Sequence, residues 1–227
     1  MKTHNIYTYA FVKTPDFPLD LPDGNTGQVR LINGGGISAI VESGTTIESV
    51  QKNDEEVIKM VLAHDRVICE LFDQITVLPL RFGTYFISQE ALLDHIETNA
   101  KEYQEKINQF HGKNEYLLKL IPRTLPEPVK ASVAGGRDYF LAKKQYYENQ
   151  KIFQIAQADE KYSLIHLITE LYKSSVIVQH QAEEVRIYLL VSYQDKSLLS
   201  KQFLTWQEAC PRWDLFLGEG LPPYQFI

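Results

Sequence analysis

The chain has 227 residues, 44% of them apolar, and a formal charge of −6 at pH 7. That composition builds ordinary cores, and the length suits two small domains. The acidic balance argues against a nucleic-acid partner, because no basic surplus displaces phosphate counterions, and no run approaches the ~18 apolar residues of a membrane span.

Ile6 to Lys13 is rich in aromatic and β-branched residues and predicts a first strand. Thr14 to Gly27, with three prolines and two glycines, predicts a loop. Gln28 to Ile32 and Ile37 to Glu42 predict a hairpin across Asn33-Gly-Gly-Gly36. That triple glycine precedes a strand rather than a helix, so it lacks the context of a phosphate loop. Asn53 predicts an N-cap for a helix from Asp54 to Gln74, with Asp54, Glu55 and Glu56 suiting the helix dipole. Val57, Val61, His64, Ile68 and Leu71 form its apolar face, and His64 reads as a core histidine rather than a ligand or an acid-base group.

Val77-Leu78-Pro79-Leu80-Arg81-Phe82-Gly83-Thr84 then predicts a strand buried on both faces. Pro79 restricts it to an edge, a bulge or a strand start. Arg81, if inward, needs a carboxylate or several carbonyls, and Gly83 permits a tight turn. A helix capped by Ser88 follows, with Leu92, Leu93, Ile96, Tyr103 and Ile107 on one face and His111-Gly112 ending it. Tyr116 to Ile121 predicts the last strand of this half. The expected fold class is α+β in two domains: residues 1–122 as a ferredoxin-like antiparallel sheet with helices on one face, a proline-rich linker at 123–134, and a second α+β domain at 135–217.

In the second domain, Tyr139, Ala142, Tyr146, Asn149, Phe153 and Ala156 recur three and four apart. Such a seam is expected to pack on a second helix, Ser163 to Tyr172, as a helical hairpin, with an intermolecular coiled coil as the less favoured alternative because the pattern spans only about three heptads. Strands are predicted at Val176 to Gln179, Val185 to Ser192 and Trp213 to Leu217, and a helix from Leu198 to Cys210. The tail, 218–227, is apolar and stiffened by Pro222 and Pro223. Either it folds back on its own chain, the favoured reading, or Leu221, Pro222, Pro223, Tyr224 and Phe226 form a strip that binds a partner.

The two cysteines, Cys69 and Cys210, match no metal or redox spacing, and no nucleophile elbow or zinc motif occurs. No enzyme activity, cofactor or metal is expected. The Met1-Lys-Thr-His-Asn-Ile-Tyr start lacks the apolar run of a secretion signal, so a cytoplasmic location is expected.

The octet Val77–Thr84 resembles the most recognisable signature of the GvpF/GvpL family of gas vesicle proteins. Ile6–Val12 resembles that family's opening, Ala63–Val67 its helix with a characteristic His, Gly136–Leu141 its second-domain helix start, and Pro222–Phe226 its ending. One departure is Glu219-Gly220-Leu221, where the family commonly has Gly-Pro-Trp. The resemblance makes His64, Pro79, Arg81, Phe82 and Gly83 the structural motif. It implies a non-enzymatic minor component or assembly factor of gas vesicles, the shells that provide buoyancy. The expected partner is the hydrophobic major shell protein, with other gas vesicle accessory proteins as further partners, and the expected role is nucleation and prevention of aggregation. The competing class is a small-ligand sensor or cryptic enzyme with a pocket near His64 and Arg81.

Overall fold

The structure, a computed structural model, describes residues 5–25, 27–43, 54–126, 136–173, 176–181 and 183–227. The Asn53 cap and most of the predicted linker lie outside the described residues. The chain divides into two compact units, Met1–Glu115 with Gly220–Ile227, and Tyr116–Glu219. Both are mixed α+β, each with its own antiparallel sheet.

In the first unit β1 (Ile6–Lys13), β2 (Val29–Gly34), β3 (Ile37–Ser43) and β4 (Val77–Pro79) take the order β2-β3-β1-β4, and β5 (Tyr85–Phe86) also pairs with β1. β2 and β3 close through Gly35 and Gly36, both at positive φ (61° and 84°), which suits a two-residue hairpin. The helices are α1 (Asp54–Phe72) and α2 (Gln89–Phe110), the latter capped by the Ser88 hydroxyl, which accepts from the Ala91 N–H.

The pleat of β1 explains why its residues 6–12 are all buried. Tyr7, Tyr9, Ala10 and Val12 join Val67, Ile68 and Leu71 of α1 in one core cluster. Phe11 points to the opposite face, where it stacks on Tyr103 of α2 at 4.8 Å between centroids. A register shift between Thr8 and Ala10 keeps both Tyr9 and Ala10 on the α1 side. The helices therefore cover both faces of this sheet, not one face as expected. The strand order is that of a ferredoxin-like sheet, but a loop replaces the first crossover helix.

The second unit holds β6 (Lys113–Pro122) from Tyr116 on, α3 (Gly136–Tyr172), β7 (Val176–Gln181), β8 (Glu184–Ser192) and, after a short 3-10 turn at Tyr193–Asp195, α4 (Lys196–Ala209) and β9 (Trp213–Leu217). Its sheet order, β7-β8-β6-β9, with the element sequence β-α-β-β-α-β, is the full ferredoxin-like arrangement. The expected last strand of the first half, 116–121, lies inside β6 and pairs with β9, so it belongs to this second sheet. Its core gathers Leu118 and Leu120 from β6, Leu164 and Ile168 from α3, Ile187 and Leu189 from β8, and Trp206 from α4.

The expected helical hairpin is not formed: α3 is one helix of 37 residues. Its middle, Gln157-Ala-Asp-Glu-Lys-Tyr162, contains neither Gly nor Pro and is made mostly of good helix formers, so nothing stops propagation. Two anchors at its C-terminal end, Leu164 and Ile168, hold it to the sheet. Most of its N-terminal half is exposed.

Candidate functional site

The signature octet is a strand of three residues followed by a turn. Val77, Leu78 and Pro79 are buried in β4, the edge strand beside β1, where the missing N–H of Pro79 is tolerated. The chain then leaves the ladder, and Arg81 is exposed rather than turned inward. Its carbonyl is the tie instead: it accepts from the Thr84 N–H at 3.1 Å and the Thr84 hydroxyl at 2.7 Å.

His64 fastens this turn to the core. Its Nε2 lies 3.0 Å from the Leu80 carbonyl, which can only accept, so Nε2 carries the proton and Nδ1 accepts from the Tyr7 hydroxyl at 2.8 Å. Tyr7 Oη in turn accepts from the Gly83 N–H at 3.4 Å. Phe82 meets the His64 and Tyr7 rings edge-on, and Leu80 N–H donates to the Tyr9 carbonyl at 2.9 Å. Gly83 sits at φ 85°, and a Cβ there would touch nothing within 4 Å. The left-handed backbone, not space, is what asks for glycine.

Burial disfavours the imidazolium and holds His64 below its usual range. The same desolvation pushes Tyr7 up to about 12. Beside them the Tyr9 hydroxyl donates to the buried Glu42 carboxylate at 2.5 Å, and the Asn25 N–H donates to the same oxygen at 2.8 Å. Both nitrogens of His64 are thus committed to protein partners, which suits a structural clasp better than proton transfer. Tyr7→Phe removes the donor to Nδ1 and the acceptor for Gly83 while keeping the ring. It is expected to cost about 1–2 kcal/mol in urea unfolding, with β4 and β5 amides losing hydrogen-exchange protection first.

The tail is docked on the first unit. Leu221 pairs with Glu115 through two backbone bonds of 2.8 Å, and the Gln225 N–H donates to the Glu115 carboxylate at 2.7 Å. The Tyr224 hydroxyl donates to Asp65 at 2.5 Å and lies 3.9 Å from the Cys69 sulfur. Pro222 and Pro223 are buried, Tyr224 and Phe226 are half-buried, and Leu221 and Ile227 stay exposed. Of the five tail residues expected to meet a partner, the structure turns Pro222, Pro223 and Tyr224 inward.

Neither cysteine is set up for chemistry: Cys69 is half-buried with its thiol held above the usual range, and burial raises Cys210 to about 11. Among the described residues no cluster of His, Cys, Asp or Glu could hold a metal ion, and no helix is long and apolar enough to cross a membrane.

The exposed apolar surface that sequence reading passed over lies on α3. Phe140, Tyr147, Ile155 and Tyr162 are all exposed, Phe140 by 72%. At 100° per residue they fall within about a quarter of the helix circumference, alternating with Lys144 and Lys151. The signal was present as apolar residues on more than one side of this helix, but a single-seam reading of the pattern discards it.

No curated protein sequence matches this chain at a significant level. The structure is similar to the crystal structure of the gas vesicle protein GvpF from Anabaena sp. PCC7120, with a TM-score of 0.69 at 16% identity over 98% of this chain and 95% of that one. It is also similar to the crystal structure of GvpF from Microcystis aeruginosa, with a TM-score of 0.68 at 15% identity over 98% of each chain. At that identity these likenesses establish the fold. The family model described as gas vesicle synthesis protein GvpL/GvpF matches residues 5–227. The chain belongs to the GvpL/GvpF family of gas vesicle proteins.

Proposed function

We propose that this protein is a non-enzymatic minor structural component or assembly factor of gas vesicles that binds the hydrophobic major shell protein during nucleation and keeps it from aggregating. It would act in the cytoplasm and at the vesicle. The observation that carries this reading is the exposed stripe of Phe140, Tyr147, Ile155 and Tyr162 on α3. Apolar side chains left in water on an otherwise well-packed fold mark a contact surface. The chain's net charge of −6 keeps such a protein dispersed while it presents that stripe. The docked tail is a weaker candidate, since its prolines and Tyr224 are engaged internally; Leu221 and Phe226 would contribute at most at its margin.

The test is co-sedimentation of the purified chain with solubilised shell subunit. Replacing Phe140, Tyr147 and Ile155 together by Glu is expected to weaken binding by about tenfold or more, in line with the loss of central aromatic anchors. The three side chains are exposed, so the circular dichroism spectrum should not change. Undiminished binding by a folded triple variant would remove α3 from the interface.

A further inference from the structure

The exposed stripe of α3 is charged as well as apolar. Arg137, Lys144 and Lys151 recur every seven residues, which is about two helical turns and about 10.5 Å of rise. They fall within about 40° of one another round the helix and beside Phe140 and Tyr147, so that cations and rings alternate along one line. Phe140 and Tyr147 are exposed, and with Lys144 and Lys151 they line a shallow depression of about 480 Å³. In this stretch Arg137, Lys143, Lys144 and Lys151 outnumber Asp138 and Glu148, although the chain as a whole carries −6.

These cations are not spent inside the chain. Among the described residues Arg137 and Lys151 have no ion-pair partner, and Lys144 has only Glu148, at 3.9 Å with both side chains largely in water. An exposed pair of that kind contributes little and yields readily to a better one.

We propose that this line receives an amphipathic helix of the partner that carries carboxylates seven residues apart, with apolar side chains between them. The proposal rests on the reading of α3 as the contact with the shell protein and names the kind of element that the contact takes. Opposite charge selects carboxylates, and the spacing selects a helix. Carboxylates about 10.5 Å apart on a strand would be three residues apart, and residues three apart on a strand point to opposite faces. Residues seven apart on a helix share a face and have the same rise as the cations of α3. Covering Phe140 and Tyr147 supplies the affinity, while the charged pairs at the rim set the register. An anionic lipid surface fits less well, because a chain of net charge −6 is repelled by it.

The experiment follows binding of the full chain to solubilised shell subunit by co-sedimentation. Lys144→Gln with Lys151→Gln should weaken binding by about threefold, and Lys144→Glu with Lys151→Glu by about tenfold. Raising NaCl from about 0.1 to about 1 M, which shortens the screening length from about 10 to about 3 Å, should weaken the wild type more than the Gln variant. A synthetic helical peptide with glutamate at every seventh position and leucines between should displace the shell subunit. The same peptide with lysine for glutamate should not, yet it should bind the Lys→Glu variant, an exchange that a misfolded chain cannot reproduce. If the Phe140, Tyr147 and Ile155 variant loses binding while salt, charge variants and both peptides have no effect, the carboxylate helix is overturned and α3 remains the contact. Undiminished binding by that triple variant overturns both readings. Wild-type binding to vesicles of equal parts phosphatidylcholine and phosphatidylserine, lost in the Gln variant, would assign the stripe to lipid and overturn the proposal.

Discussion

Truncation after Gly218 is expected to destabilise the first unit by about 1–4 kcal/mol. The tail buries Pro222 and Pro223 and half-buries Tyr224, at about 1.5–3 kcal/mol for each fully buried apolar side chain. It also makes four hydrogen bonds to the body, two between Leu221 and Glu115, one from Gln225 and one from Tyr224, at about 1 kcal/mol each. Against these stands the ordering of the tail backbone, about 1 kcal/mol per residue. That cost is reduced at the two prolines, whose φ is fixed before folding. Native-state hydrogen exchange reads the outcome. Amides of α1 near Asp65 and Cys69 should lose protection on truncation, while those of α4 should keep it. Equal protection of α1 in both chains would mean that the tail is an ornament rather than a strut. The result also decides how binding data are read. A truncated chain that fails to bind shell protein could fail through a loosened first unit, so point changes on α3 are the cleaner probe.

The sequence announced the elements well and their company poorly. β1, β3 and β9 were legible because β-branched and aromatic residues fill short stretches bounded by turn residues, and Ser88 marked the start of α2 by its cap. What escaped were facts decided by tertiary pairing. Tyr116 to Ile121 reads as a strand in either sheet, and only the partner Trp213–Leu217 assigns it to the second. The pleat of β1 buries Tyr9 and Phe11 on opposite faces, yet a run buried on both sides looks the same whichever helix covers it. Arg81 drew attention as a charge within an apolar octet; the strand ends at Pro79, so no buried partner was needed. His64 was legible as a core histidine by its place on the apolar face, but its anchors, the Tyr7 hydroxyl and the Leu80 carbonyl, come from elements 57 and 16 residues away. Glu42 and Glu115, the buried acids among the described residues, gave no signal because each stands at the margin of an apolar strand run, where a carboxylate is usually solvated.

Glu115 supplies the second large effect, a loss of stability as pH rises from 4.5 to about 7. The residue is 4% exposed, and its one described side-chain bond is the Gln225 N–H. Desolvation outweighs that bond and raises the carboxyl from 4.5 to about 7. A group whose pKa is higher in the folded chain than in the unfolded one binds its proton more tightly when folded. Its contribution is therefore fully present below about pH 4.5 and disappears as pH passes 7. With 1.36 kcal/mol for each unit of pKa difference, the loss is at most about 3 kcal/mol. His64 acts in the opposite sense, because burial lowers its pKa: its contribution is present above 6.5 and is lost as pH falls. The two trends overlap below pH 6.5, and the raw profile of the wild-type chain mixes them. Glu115→Gln separates them, since the amide keeps a carbonyl oxygen for the Gln225 N–H and carries no charge. The difference in unfolding free energy between wild type and this variant, followed by urea titration from pH 5 to pH 8.5, should move in favour of the variant by up to about 3 kcal/mol, almost all of it below pH 7, and level off above that. A difference that stays flat across that range would show that the Glu115 carboxylate is hydrated in the folded chain, and that the tail is held by backbone pairing with Leu221 and by Tyr224 alone.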